Sequence, residues 1–326
     1  MPRKVRIEYE GALYHVMCRG HRQKAIYRDD EDRRMFLATL AKTARRTGWH
    51  VHAYVLMQDH YHLLLETPKP NLVRGMAWLQ TTFTVRFNAR HHRSGRLFGG
   101  RYKAILVDPT DPRYVATLLD YIHLNPVRAG EIRLRKGERL LDYEWSSLRG
   151  YVGKRDRPEW LTVQRGFSVK DLADNLGGRR TLLQQMERRA NEGQTRYAGL
   201  SLVDEENPQS TLRRGWYYGR ERFRDWLLKK ANAAVKRPRT SRKKSRGQNG
   251  GDHGEAEARR LIAEGLARAG MKRQELTKLA KGDIRKARIA ARVRATTTVS
   301  LQWVANELRM GTAGNVAQAC RRFDQR

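Results

Sequence analysis

Two apolar, strand-like runs, Trp49 to Met57 and His60 to Thr67, are separated only by Gln58-Asp59, and this constrains the chain more than any other feature. A two-residue separation offers a tight turn, so the runs should pair as a hairpin. The flanking segments extend the pattern. Leu13 to Arg19 reads as a strand, with Leu13, His15, Met17 and Arg19 on one face and Tyr14, Val16 and Cys18 on the other. Asp29 to Asp32 starts a helix whose stripe of Met35, Phe36, Leu37, Leu40, Ala41 and Ala44 runs up to the Gly48 stop. Leu72 to Arg90 has helical spacing, and Leu97 to Val107 ends as a strand. Asp108-Pro109-Thr110-Asp111-Pro112 opens a further helix, which Pro126 is expected to end. Strand, helix, hairpin, helix, strand, helix predicts an α+β fold, an antiparallel sheet with helices on one face.

The aromatic run Tyr143 to Tyr151 is expected to pack back on this domain, whose boundary is placed near residue 152. Residues 153–231 read as a helical extension without an assigned role, with Trp216-Tyr217-Tyr218-Gly219 as an aromatic cluster inside it. Residues 232–254 read as a basic flexible linker, since seven of the eleven residues from Lys236 to Arg246 are Lys or Arg. Residues 255–326 are expected to be helical. Ser300 can cap a helix with Leu301, Val304, Ala305 and Leu308 inward, Met310-Gly311 turns the chain, and Val316, Ala319, Cys320 and Phe323 mark a last helix. That last helix carries Arg321 and Arg322, and the pair resembles a DNA-binding helix-turn-helix.

Charge narrows the partners. Lys and Arg number 67 against 34 Asp and Glu, a formal charge of +33 and a pI near 10.9, which points to polyanionic nucleic acid. Mean hydropathy is −0.78 and no long apolar run or apolar signal core is present, so no membrane partner and a cytoplasmic, nucleoid-associated protein are expected. Cys18 and Cys320 have no C-x-x-C spacing and suggest neither a zinc site nor a disulfide framework.

The chemistry concentrates in two places. His60-Tyr61-His62 alternates two imidazoles on one strand, so both rings face one way and can share a divalent cation. Tyr121 and Asn125 are four residues apart and share a helix face. Two histidines, an oxygen ligand and a tyrosine hydroxyl suit metal-assisted attack on a phosphodiester. The triplet alone does not suffice, because His50-Val51-His52 repeats the pattern. Only the first sits at the turn end of the apolar hairpin, where a site can be open to substrate.

Tyr54-Val55-Leu56-Met57-Gln58-Asp59-His60-Tyr61-His62-Leu63-Leu64-Leu65 resembles the signature of single-tyrosine HUH transposases of the IS200/IS605 type, and more closely that of REP-associated tyrosine transposases. Those usually carry Pro-Asn where this chain has Gln58-Asp59. The resemblance continues through Phe87-Asn88-Ala89-Arg90, Gly95-Arg96-Leu97-Phe98, Arg101-Tyr102-Lys103-Ala104 and Tyr121-Ile122-His123-Leu124-Asn125-Pro126-Val127-Arg128-Ala129-Gly130, to Tyr143-Glu144-Trp145-Ser146-Ser147. It implies a ferredoxin-like HUH nuclease domain over residues 1–152, with Tyr121 as nucleophile and His60, His62 and Asn125 as ligands of Mg²⁺ or Mn²⁺. An Asn in the third ligand position is similar to the REP-associated group, whereas insertion-sequence relatives tend to use Gln. The implied activity is cleavage and strand transfer on single-stranded, hairpin-forming DNA such as REP palindromes, through a 5′-phosphotyrosine link. Arg19, Arg96, Arg101, Lys103 and Arg128 are candidates for phosphate contacts near the site, and Arg321 and Arg322 for DNA contacts in the last helix. The competing reading is a non-catalytic, sequence-specific DNA-binding regulator on the same fold. Monomer and homodimer both stay open.

Overall fold

The computed structural model describes residues 6–155, 157–191, 216–235, 252–297 and 299–324. They fall into two compact units, one within 1–79 and 96–234, the other within 80–95 and 235–326.

The first unit is built on the hairpin. Strands β2 (His50–Leu56) and β3 (His60–Thr67) pair antiparallel, with Val55 opposite His62 and Leu56 opposite Tyr61. Met57 N–H closes the Gln58-Asp59 turn on His60 O at 2.8 Å. The turn is fastened from outside as well: Gln58 O accepts from Ile26 N and Asp59 O from Gly20 N, at 3.0 and 2.7 Å. Strand β1 (Ala12–Arg19) lies antiparallel between β3 and β4 (Lys103–Val107). Helix α1 (Asp30–Thr47) starts where Asp29 accepts from Asp32 N and stops at Gly48, whose φ of 72° suits a residue without Cβ. Helix α2 (Leu72–Arg90) is divided between the two units.

Helix α3 (Pro112–Arg128) follows β4, with Asp111 as its N-cap and Pro112 in its first turn. Pro126 does not end it. Proline removes one N–H from the helical ladder, yet Asn125 O still accepts from Ala129 N at 2.9 Å, and the helix runs on to Arg128.

The expectation of helices on one face is corrected. The Tyr61 ring lies 4.9 Å from Phe36 of α1, while the ring of the next residue, His62, lies 5.4 Å from Tyr121 of α3. Successive strand residues point to opposite faces, so α1 and α3 cover opposite sides of the sheet. The cause is legible in β3, whose Leu63-Leu64-Leu65 run does not alternate and is buried throughout. The sheet is also mixed rather than purely antiparallel. Tyr217–Tyr218 forms a short strand, β5, parallel to β4, giving the order β2-β3-β1-β4-β5 and covering what would otherwise be an edge.

The described residues from 157 to 191 do not stand apart from this unit. Short helix α4 (Leu148–Val152) is followed by α5 (Gln164–Ser168) and α6 (Leu176–Asn191). Thr162 N bonds to Val51 O at 2.8 Å, and the Tyr151 and Phe167 rings pack 5.5 Å apart. Lys170 Nζ lies 2.6 Å from the fully buried Asp120 carboxylate of α3, which Arg189 of α6 also contacts. These residues brace α3. Helix α7 (Glu221–Val235) is the last element before residues 236–251, where most of the expected linker lies outside the described residues.

The second unit gathers α8 (Asp252–Arg268), α9 (Ile284–Thr296), α10 (Leu301–Glu307) and α11 (Ala313–Asp324) around Leu261, Ile262, Ala290, Val293, Val304, Leu308, Val316 and Cys320. The two ends of the expected linker, 232–235 and 252–254, are thus helical. Ser300 caps α10 by accepting from Trp303 N at 3.1 Å. Gln302 spans the turn that follows, bonding Gly311 O and Ala313 N at 3.2 and 3.1 Å. Among the described residues no helix is long and apolar enough to cross a membrane.

Candidate active site

Strand β3 brings His60 and His62 to the face covered by α3, their rings 5.1 Å apart and nearly perpendicular. His62 is 3% exposed, and Tyr121 and Asn125 on α3 are each 2% exposed. The Tyr121 ring sits edge-on to His62 at 5.4 Å and to His15 at 5.9 Å. Asn125 lies one helical turn beyond Tyr121, in the last turn of α3.

Each histidine spends one nitrogen on the protein. His60 Nδ1 meets Asp59 Oδ1 at 2.5 Å, and His62 Nδ1 meets His15 Nε2 at 2.9 Å. The Nε2 atoms of His60 and His62 are buried without a hydrogen-bond partner. Buried polar nitrogens are normally satisfied, so two unsatisfied ones on one face call for an acceptor of their lone pairs. Burial pushes His62 well below the ordinary histidine range, helped by its neighbours His15, His60, Arg19 and Arg128. Burial alone brings His15 down to about 3. A neutral imidazole is the form that binds a cation, so this donor set fits a divalent metal. Among the described residues no three His, Cys, Asp or Glu side chains converge to hold a metal.

Cations surround this face unequally. Arg19 Nε is 3.3 Å from Asp59 Oδ2, so one carboxylate joins a histidine to an arginine. Burial of Asp59 works against ionisation, but the His60 hydrogen bond and the charges of His60 and Arg19 outweigh it and lower its pKa. Lys103 stands opposite Met17, which stands opposite His62, and both burial and the Arg19 charge depress its ammonium. The Arg128 guanidinium lies 4.7 Å over the Tyr121 ring. Arg96 and Arg101 are exposed in the loop before β4, which is bonded to the end of β1 through His21 N to Leu97 O and Gly99 N to Arg19 O. Arg321 is exposed on α11, in the other unit. The Arg322 side chain lies outside the described residues.

The second triplet is built differently. A register shift between Val51 and Ala53 leaves His52 unpaired in the ladder. Its Nδ1 meets Thr162 O at 3.0 Å and its Nε2 meets Glu66 Oε2 at 3.4 Å, while His50 is exposed. Glu66, bonded to His52 and to Arg165, is held at about 2.

Sequence reasoning missed the contacts of His15 with His62 and of Asp59 with His60. The signal for His15 was its place on the same strand face as Met17 and Arg19, which a β1–β3 pairing sets beside His62.

Residues 8–125, a span that contains all four candidate site residues, match the family described as "Transposase IS200 like". The match spans about a third of the chain and shows what this part is similar to. The chain is also similar to the "Putative REP-associated tyrosine transposase" of Haemophilus influenzae, with 27% identity over 135 residues, covering 38% of this chain and 73% of that protein. A solved structure of a REP-associated tyrosine transposase bound to a REP hairpin aligns at 17% identity and a TM-score of 0.40, covering 48% of this chain and 89% of the other.

Proposed function

We propose that the chain is a metal-dependent, single-tyrosine endonuclease and strand transferase acting on single-stranded DNA at hairpin-forming repeats of the REP type. The observation that carries this reading is the pair of buried Nε2 atoms, on His60 and His62, left without hydrogen bonds on the face that meets the Tyr121 ring. The family match over residues 8–125 and the net charge of +33 support it. On this reading the β2-β3-β1-β4 core is ferredoxin-like, and the protein works in the cytoplasm, on the nucleoid.

Tyr121 is the nucleophile, and His60, His62 and Asn125 hold Mg²⁺ or Mn²⁺. A cation held by these residues would supply polarisation of the scissile phosphate and stabilisation of its developing charge. The Tyr121 hydroxyl gives up its proton as its oxygen forms a bond to phosphorus, the bond from phosphorus to the 3′-oxygen breaks, and that oxygen takes up a proton and leaves as a 3′-hydroxyl. The 5′-phosphotyrosine keeps the bond energy, so a second 3′-hydroxyl reverses the step and joins a new strand. Arg128, already over the tyrosine ring, together with Arg19 and Lys103, meets the phosphates beside the cut; Arg96 and Arg101 extend this basic rim. Arg321 and Arg322 on α11 belong to a helix-turn-helix that adds a second DNA contact.

Labelled single-stranded DNA from the repeats flanking its own gene, incubated with the protein and Mn²⁺, is expected to give a covalent adduct that Tyr121→Phe loses. Tight binding without an adduct under any metal would instead make the chain a non-catalytic DNA-binding regulator. An adduct persisting in Tyr121→Phe would remove Tyr121 as nucleophile.

A further inference from the structure

We propose that His15 and Asp59 are positioning residues, each holding one candidate ligand imidazole by Nδ1 so that its Nε2 lone pair faces the site; this rests on the metal-site reading above. A neutral imidazole has one N–H and one lone pair, and the partner of one nitrogen decides which is which. The Asp59 carboxylate can only accept, so at 2.5 Å it fixes the His60 proton on Nδ1 and leaves the lone pair on Nε2. Arg19, 3.3 Å from the other carboxylate oxygen, keeps Asp59 from swinging away.

His62 faces a subtler partner. His15 is 1% exposed, its ring stacks on His62 at 5.1 Å and 22°, and its Nε2 lies 2.9 Å from His62 Nδ1. An imidazole can donate or accept, so two arrangements exist. In one, His62 donates from Nδ1, its Nε2 is a lone pair, and His15 carries its proton on Nδ1. In the other, His15 donates from Nε2 and His62 Nε2 becomes an N–H. His15 Nδ1 and His62 Nε2 are both buried without a hydrogen-bond partner, so each arrangement strands one N–H. Neither arrangement satisfies every nitrogen, and a cation at His62 Nε2 favours the first, which leaves that lone pair free. His15 therefore responds to metal without touching it.

The test uses the full chain labelled with ¹⁵N in its histidines. Without metal, His60 is expected as the Nδ1–H tautomer, and Asp59→Ala releases it. Saturating Mg²⁺ is expected to drive both His62 and His15 to Nδ1–H. Mn²⁺ affinity, read from the signal of the free ion, falls about 10- to 100-fold in His15→Phe and in Asp59→Ala. His15→Gln, whose side-chain oxygen can accept from His62 Nδ1, recovers most of the loss, whereas a merely structural role would favour Phe in this apolar site. Unchanged Mn²⁺ affinity in both His15→Phe and Asp59→Ala, or a His15 tautomer that Mg²⁺ does not move, overturns the proposal. Should His15→Phe fail to fold, Asp59→Ala decides, since that side chain is 28% exposed. A wild-type chain that binds no Mn²⁺ refutes the metal-site reading instead, and the His60 tautomer in Asp59→Ala still decides whether Asp59 positions the ring.

Discussion

Two His-x-His triplets lie on neighbouring strands of one hairpin, and they use their nitrogens in opposite ways. His52 engages both of its ring nitrogens, with Thr162 O and Glu66, and His50 faces solvent. His60 and His62 engage only Nδ1 and keep Nε2 buried and unsatisfied. The spacing is the same; the strand geometry is not. The bulge at His52 turns that ring toward Thr162, in the segment that leads into α5, whereas β3 keeps strict register with β1 and sets His62 beside His15. An imidazole with two protein partners ties structure together, and one with a single partner keeps a lone pair to give.

The largest effect should fall on the second kind. His62→Ala or His60→Ala is expected to slow DNA cleavage about a thousandfold or more, as the loss of metal-assisted charge stabilisation predicts. Adduct formation in single-turnover assays measures it. Activity within tenfold of wild type in both variants would erase the distinction between the triplets.

The brace around α3 comes next. Asp120 neighbours Tyr121 in sequence but points to Lys170 and Arg189, and it is fully buried. Asp120→Ala leaves a buried ammonium without its partner and should cost about 3–5 kcal/mol in urea unfolding. Mn²⁺ affinity of the folded variant should not change. A parallel loss of Mn²⁺ affinity would show that the brace reaches the candidate ligands His60 and His62 as well as the fold.

Acid separates the two clusters by pH window. His15 and His123 are both held by burial at about 3 against an ordinary 6.5, and burial also lowers His62 well below the ordinary range. The unfolded chain takes up the His15 and His123 protons below 6.5 and the folded chain does not until about 3. Their stabilising effect is therefore complete above 6.5 and is lost as pH falls toward 3, by up to about 1.4 kcal/mol per pH unit per histidine. Glu66, beside His52, titrates lower: its contribution is complete above 4.5 and is lost toward about 2. His123→Gln removes one such group, so the slope of unfolding free energy between pH 6.5 and 5 should drop by about one proton. An unchanged slope would place the titrating histidines elsewhere.

Much of this was legible in the sequence because short-range rules set it. The Gln58-Asp59 turn, the Asp29 and Asp111 caps and the Gly48 stop depend on a few adjacent residues each. The Ser300 cap on α10 was local too. The remainder depends on long-range pairing. Tyr217–Tyr218 joins the sheet only because β4 offers an edge about a hundred residues away. Lys170 and Arg189 look like solvated charges until α5 and α6 fold back on Asp120. His15 becomes a partner of His62 only through the β1–β3 register, and Asp59 reads as a turn residue until its carboxylate is seen on His60. Pro126 misleads in the other direction, since a rule about helix ends yields to packing that buries α3 from Leu118 to Pro126.

The smallest expected effect makes the sharpest control. His52→Ala removes one bond to Thr162 O and one partner of Glu66, but Arg165 still holds that carboxylate at 2.7 Å. The cost should be about 1–3 kcal/mol in unfolding free energy, with cleavage by the folded fraction unchanged. His50 is exposed and should tolerate Ala within about 0.5 kcal/mol. Measured on the same DNA, the pair asks whether a histidine in this hairpin matters through its stability or through its lone pair. Any drop in cleavage beyond the loss of folded protein in His52→Ala would mean that the bulged triplet reaches the site through Glu66 and β3.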